Sequence, residues 1–445
     1  MKRIYEAVEK NRELILAAER YIWQNPETGY KDFKTSAYMA EKFRALGYDL
    51  HMAEGITGFY TVLDTGRPGP TVLVLGELDS IICPGHKDAD PETGAVHSCG
   101  HNAQCAALLG VAAALKEPGV IDNMCGKIKL CAVPAEEFLE VEFRRGLRAE
   151  GKIKYFGGKP EFLFRGYFDD VDLAFMVHTT VGGYGVREGS NGCLVKNIIY
   201  KGKASHAGGS PWNGINALYA ANCGLNAINA IRETFRDSDL VRVHPIMTSG
   251  GSMVNAIPEK AVLESYVRGK TTDVIAAANA KVNRALVGAA LSLGANVEII
   301  DIPGYSPLVN APDMIKVAKD AFERSFPGEP FSVHEGYSTG STDMGDLSAV
   351  MPVVHPYAAG SKGTSHGADY EVVDPVRACV DCATWQVTML EVLLENGAAR
   401  AKDVLANFKP IFATYKDYFD FMESLNCEGD RVTYNENGTA TVDIH

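Results

Sequence analysis

Thr71-Val72-Leu73-Val74-Leu75-Gly76-Glu77-Leu78-Asp79 is an apolar run closed by two carboxylates. A continuous apolar stretch of this length reads as a central strand covered on both faces. Acidic residues at its C-terminal end stand where open α/β sheets place their sites. The same grammar recurs twice. Lys127 to Val133 leads into Pro134-Ala135-Glu136-Glu137, and Val171 to Val177 leads into His178. Strands ending in Asp79, Glu136/Glu137 and His178 predict an α/β domain with its chemistry at one sheet edge.

Helical periodicity surrounds these strands. Residues 2–24 carry an apolar face of Ile4, Val8, Leu14, Ala17, Ala18, Tyr21 and Ile22, broken by Asn25-Pro26-Glu27-Thr28-Gly29. Thr35 to Leu46 is a second helix, stopped by Gly47, and Asn102 to Lys116 an Ala/Leu-rich third. Gly58 to Asp64 adds a strand before the turn Gly66-Arg67-Pro68-Gly69. From about Asn191 the style changes. Strands at Leu194 to Gly202, Val241 to Met247, Ala261 to Arg268 and Asn296 to Ile302 alternate with helices at Asn216 to Phe235 and Asp273 to Leu293. That βαββαβ order predicts a ferredoxin-like domain over 191–303, inserted into a catalytic domain made of 1–190 and 304–445. The first domain's pattern resumes after Gly304 and carries Ser341-Thr342-Asp343-Met344-Gly345-Asp346. The tail after about Asn396, with its aromatic stretch Tyr415 to Phe421, has no role that the sequence assigns.

Composition excludes several classes. The 445 residues are too many for one ordinary core. A net charge of −13 with no basic block argues against nucleic-acid binding. No apolar run reaches membrane-spanning length, and Met1 to Glu9 lacks a signal-peptide core, so the expected location is cytoplasmic. Ten cysteines in such a chain are expected to be reduced. Cys379-x-x-Cys382 has no second pair and falls in a helical pattern, which makes it a pair of buried thiols rather than a zinc half-site.

The chemistry gathers around His97-Ser98-Cys99-Gly100-His101-Asn102. Cys99 and His101 are metal-ligand types two residues apart. With Glu137, His178 and His366, the last in Gly363-Thr364-Ser365-His366-Gly367, they form a donor set suited to zinc, and to Mn, Co or Ni in a two-metal site. Singly, His178 reads as well as a core histidine and His366 as a loop residue; together they read as ligands. Of the adjacent carboxylates, Glu137 is assigned as ligand and Glu136 as the general base for an attacking water. Asp79 is a carboxylate placed to orient a ligand imidazole. In the inserted domain His206 and Asn255 are candidates for stabilising an oxyanion, and Arg268 for a bidentate grip on a substrate carboxylate.

These residues together resemble the metal-dependent aminoacylase/carboxypeptidase amidohydrolases, metallopeptidase family M-twenty, subfamily D. The resemblance spans roughly residues 5–400. Its motifs are Asn25-Pro26-Glu27, Gly76-Glu77-Leu78-Asp79, His97-Ser98-Cys99-Gly100-His101, Pro134-Ala135-Glu136-Glu137, Ser205-His206-Ala207, Gly250 to Pro258 and the His366 loop. It implies a zinc-peptidase-like mixed-sheet domain, and two divalent metal ions bridged by Cys99 and completed by His101, Glu137, His178 and His366. It also implies a homodimer through the inserted lid domain, in which His206 and Asn255 serve the partner's site. The aminobenzoyl-glutamate hydrolase and dipeptidase branch is the nearest in pattern. Relatives often carry Asp-x-Asp where this chain has Glu77-x-Asp79, Asp at Asn102 and His at Gln104, and Phe143 to Phe168 reads as an insertion. The expected reaction is hydrolysis of the amide bond of an N-acyl or N-aroyl amino acid, with small dipeptides as the alternative substrate. Two further readings are a Cys99–His101 thiol nucleophile and a non-catalytic metal-binding protein.

Overall fold

The computed structural model describes residues 2–444 and divides into two compact units. The first runs from the N-terminus to Gly189 and resumes over Val309–Gly336 and Asp346–Ile411; the second comprises Ser190–Leu308, Tyr337–Gly345 and the chain from Phe412.

The first unit is built on a six-stranded sheet ordered His51–Met52, Phe59–Asp64, Lys127–Val133, Thr71–Glu77, Leu173–Phe175, Val353–Val354. Thr71–Glu77 pairs in parallel with both neighbours, while Phe59–Asp64 runs antiparallel to Lys127–Val133, so the sheet is mixed. Every residue of Thr71–Glu77 is buried, the state its unbroken apolar run demands. Helix His101–Leu115 is buried on all sides, as expected of a helix apolar all round. It packs on Thr71–Glu77 and between the helices Arg12–Trp23 and Cys382–Asn407. Trp385 anchors this layer, fully buried with its indole N–H donating to the Ala318 carbonyl at 2.8 Å.

Because the parallel strands are in step, with Glu77 opposite Val133 and Val74 opposite Phe175, their C-terminal ends emerge on one edge. The segment after Thr71–Glu77 is tied down by the Asn25–Gly29 break: the Glu27 carbonyl accepts from both the N–H and the hydroxyl of Ser80, at 2.8 and 2.9 Å. Gly29 is required there, since a Cβ would lie 2.6 Å from the Ala135 Cα.

The second unit holds an antiparallel sheet ordered Arg242–Val243, Lys260–Gly269, Gly192–Lys201, Asn296–Tyr305, Cys427–Asp430, with Ile246–Ser249 also pairing Lys260–Gly269. Burial alternates along Lys260–Gly269, so one face packs on helices Ala217–Ile231 and Thr272–Ser292 and encloses a core that includes Leu263, Val267, Val282 and Leu286.

Several expectations are corrected. Residues 2–24 form two helices, Lys2–Lys10 and Arg12–Trp23, because the Asn11 side chain bonds back to the Ala7 carbonyl at 2.9 Å. The strand expected over Val241 to Met247 is two short ones, separated around Pro245, which has no N–H for the ladder. The boundary placed at 304, with 304–445 in the first domain, does not hold. Asn296–Tyr305 is one continuous strand, Tyr337–Gly345 groups with the second unit, and the tail joins it too. The tail does so through Cys427–Asp430, which covers the open edge of Asn296–Tyr305 with Asp301 opposite Cys427 and Glu298 opposite Asp430. An uncovered strand edge is a liability, and this one is covered by a segment whose polar sequence hides its strand character.

Tyr418, Met422 and Val432 of the tail are buried, each worth about 1.5–3 kcal/mol. Ending the chain at Ile411 is therefore expected to lower the thermal midpoint of the second unit by at least about 5 °C in a calorimetric scan. An unchanged midpoint would show that the tail is dispensable to the sheet.

Candidate metal centre

The turn Ser98 to His101 decides the site. Gly100 has φ 91°, a conformation that favours glycine. A Cβ there would lie 2.3 Å from Thr179 Cγ2 and 2.4 Å from the Tyr370 hydroxyl. Passing through this residue, the chain starts helix His101–Leu115 with the side chains of Cys99 and His101 converging rather than diverging. Ala135, the residue before Glu136, and His366 also have left-handed backbones, with φ 59° and 63°. Non-glycine residues held there concentrate at functional sites.

The expected ligands come together. Cys99, His101 and His178 present one donor atom each within 4.8 Å of one another, and so do Cys99, Glu137 and His366. Cys99 is common to both groups. Its Sγ is 3.4 Å from His178 Nε2 and 3.4 Å from His366 Nε2, and His366 Nε2 is 3.0 Å from Glu137 Oε1. The other ring nitrogens are engaged. His178 Nδ1–H donates to the Thr179 carbonyl at 2.6 Å, and His101 Nδ1–H to the Asp79 carbonyl at 2.9 Å. Each leaves its Nε2 lone pair for the site, the arrangement that metal-binding histidines use.

Asp79 lies where it was expected and does more. Its Oδ1 is 3.4 Å from His101 Nδ1, and its two oxygens accept the backbone N–H groups of Glu136 and Glu137 at 3.1 and 2.9 Å. Glu136 Oε2 is 4.0 Å from His101 Nε2, so the base candidate faces the ligand cluster.

Electrostatics mark the cluster as a cation site. Burial and the Glu137 carboxylate push the Cys99 thiol up, but His101 and His178 outweigh them and bring it down to about 6. Burial likewise raises the Glu137 carboxyl, and the hydrogen bond and charge of His366 bring it down to about 2. Hydrogen bonds to Cys99 and Glu137 lift His366 to about 11. Cys99 and Glu137 are thereby held as anions beside the three imidazoles. His101 Nε2 is buried without a hydrogen bond of good geometry. Donor atoms of Cys, His and carboxylate type, aimed at a common volume, fit divalent metal ions.

The remaining candidates lie in the second unit. Strand Ser205–His206 pairs with Ala256–Ile257, and the Ala207 N–H donates to the Asn255 carbonyl at 2.9 Å, so His206 and Asn255 are neighbours. His206 Nδ1 accepts from the N–H groups of Gly208 and Gly209 at 3.2 and 2.9 Å, which leaves Nε2–H as an exposed donor. Arg268 stands apart from them, 3.3 Å from the Ser341 hydroxyl and over the Tyr266 ring.

Two residues of the first unit's site were missed. Glu77 Oε2 lies 3.1 Å from His101 Nε2, and the Glu77, His101 and Glu136 donors form a third close group. Lys159, fully buried, pairs with Glu77. Glu77 closes the decisive apolar run and stood out only as a departure from Asp; Lys159, in the inserted stretch, carries no local signal.

An α/β sheet with a cysteine shared between two ligand groups and a paired-glutamate loop beside them defines a metallohydrolase frame. The chain belongs to peptidase family M20/M25/M40, whose model matches residues 73–392. It is 29% identical over 330 residues to indole-3-acetyl-aspartic acid hydrolase of Enterobacter agglomerans, covering 61% of this chain and 70% of that one. It is 28% identical to the mouse (Mus musculus) Xaa-Arg dipeptidase, covering 83% and 82%. Among solved structures, a Bacillus subtilis protein described as a dinuclear metal binding peptidase of this family shares the fold, with TM-score 0.64 and 18% identity, covering 87% of this chain and 99% of that one.

Because the two ligand groups share Cys99, its loss is expected to disturb both. Cys99→Ser should take bound zinc from about two ions per chain to less than one, while His178→Ala or His366→Ala removes about one. Elemental analysis after dialysis against buffered zinc measures this; a Cys99→Ser protein that keeps a full complement would refute the sharing.

Proposed function

We propose that this protein hydrolyses the amide bond of an N-acyl or N-aroyl amino acid. The observation that carries the reading is Glu136 standing beside two ligand groups joined at Cys99. Cys99, His101 and His178 would hold one divalent ion, and Cys99, Glu137 and His366 the other, with Zn, Mn, Co or Ni all compatible with the donors. When bound, such ions polarise the scissile carbonyl and make water more acidic.

The chain's own groups do the rest. Glu136 accepts the proton of the attacking water and returns it to the departing amine. Asp79 holds the Glu136–Glu137 backbone and the His101 ring in place. His206, with Asn255 alongside, would offer its Nε2–H to the developing oxyanion in the site of a partner chain, and Arg268 or Asn255 would take the substrate carboxylate. The similarity to an indole-3-acetyl-aspartate hydrolase supports an acyl-amino-acid substrate, and the similarity to a dipeptidase keeps a small dipeptide as the second reading.

In this reading the second unit is a ferredoxin-like lid that also pairs two chains. Its strand-helix-strand-strand-helix-strand path and its sheet order support the first part. Strand Ile246–Ser249 supports the second: all four of its residues are exposed, Ile246 and Met247 among them. An exposed edge strand with apolar side chains calls for a partner. Residence in a reducing cytoplasm accords with ten free cysteines, and among the described residues no helix is long and apolar enough to cross a membrane.

Glu136→Gln is expected to lower kcat by about a thousandfold with bound metal unchanged, on whichever member of a panel of N-acetyl, indole-acetyl and aminobenzoyl amino acids and dipeptides the native protein cleaves best. Turnover within tenfold of native would remove Glu136 from the mechanism, and preference for free dipeptides would select the second reading.

A further inference from the structure

The segment between Glu137 and His178 is not a passive loop. It forms helices Val141–Ala149 and Gly158–Phe164 and is fastened to the metal centre at several points. The Arg144 guanidinium donates to the carbonyls of Phe156, at 2.8 Å, and of Glu137. Both N–H groups of Lys154 and Tyr155 donate to Glu161 at 2.8 Å. The Gly158 N–H donates to the Ala135 carbonyl at 3.1 Å, and a Cβ on Gly158 would fall 1.6 Å from the Pro134 oxygen. The segment is thus seated on the turn that carries the paired glutamates.

That seating delivers one charged group to the interior. Lys159 and Glu77 are both completely buried and paired through Glu77 Oε1. The other oxygen, Oε2, accepts from Gln104 Nε2 at 2.9 Å and faces His101 Nε2 at 3.1 Å. Glu77 therefore points at the same nitrogen that His101 offers to a metal, in a region already crowded with Asp79, Glu136, Glu137 and Cys99. A carboxylate so placed adds to the pull on a divalent cation, and an ammonium on its far side subtracts from it. At these separations, in a medium shielded from water, one unit charge alters the binding of a doubly charged ion by well over an order of magnitude.

We propose that Lys159 is a positioning residue of the metal centre: its ammonium holds Glu77 alongside His101 and offsets one carboxylate charge, setting how tightly the centre keeps its divalent ion. The inference rests on the metal-centre reading above. It gives the inserted segment a function, which is to carry a buried counter-charge to the ligands. It also joins two departures from the family pattern, Glu77 and Gln104, into one contact set with Lys159.

The test is zinc affinity of the full-length protein, by competition with a chromophoric chelator, for the native chain, Lys159→Met, Lys159→Arg, Glu77→Gln and the double variant Glu77→Gln/Lys159→Met. Thermal unfolding checks that each is folded. Lys159→Met is expected to bind zinc at least tenfold more tightly, Glu77→Gln at least tenfold more weakly, and the double variant and Lys159→Arg within about threefold of native. Removal of a merely structural lysine would lower the unfolding midpoint without tightening zinc. Folded Lys159→Met with native or weaker affinity overturns the proposal. Should Lys159→Met fail to fold, the double variant is compared with Glu77→Gln, and equal affinities overturn it. A native chain that binds no zinc, manganese, cobalt or nickel would instead refute the metal-centre reading itself.

Discussion

One carboxylate sets the geometry on which the site depends. Asp79 leaves the central parallel strand fully buried and meets two other parts of the chain at once. Its oxygens hold the N–H groups of Glu136 and Glu137, and its carbonyl fixes the His101 ring. The ligand on the helix and the two carboxylates on the next strand's end are thereby fixed relative to one another through a single residue. A charged acceptor for two backbone donors is among the stronger hydrogen-bonding arrangements available. The strained Ala135 that precedes the glutamates is held by the same bonds.

The cost of this arrangement is a high density of buried ionisable groups. Ionised side chains taken from water are destabilising unless paired. Here they are paired in chains: Lys159 with Glu77, Glu77 with His101, His366 with Glu137. His97 shows the contrast. Burial and the nearby His101 push it down to about 3, and it stays a neutral ring under the cluster. Metal ions that bind the folded arrangement and not the unfolded chain add to its stability, so the donors proposed for the chemistry would also tie it to folding.

Much of this was legible before the structure. Apolar runs announced the parallel strands, and their acidic or histidine endings announced the edge that carries the site. The helical and strand periodicities of the second unit announced its path. What could not be read has physical reasons. The pairing of Cys427–Asp430 with Asn296–Tyr305 joins residues more than a hundred positions apart, through a segment with no strand-like alternation. Lys159 lies in a stretch whose composition resembles a surface loop, and only the seating of Gly158 against Pro134 turns its side chain into the interior. Gln104 and Glu77 looked like independent departures because sequence does not show that they touch.

The geometry also separates a metal centre from a thiol nucleophile. A lowered thiol could serve either, and Cys99 is lowered. A nucleophilic cysteine needs one base and an open path for substrate to its sulfur. Cys99 is 7% exposed, and His178 and His366 approach its sulfur at the same 3.4 Å. His101, the partner expected of a thiol–imidazole pair, lies within 4.8 Å of the sulfur but shares its Nε2 with Glu77 at 3.1 Å and, at longer range, with Glu136. A second imidazole on the sulfur and two carboxylates on the first add nothing to a nucleophile. They suit a sulfur that two cations would share, and in the function proposed above Glu136, rather than Cys99, would then handle the proton.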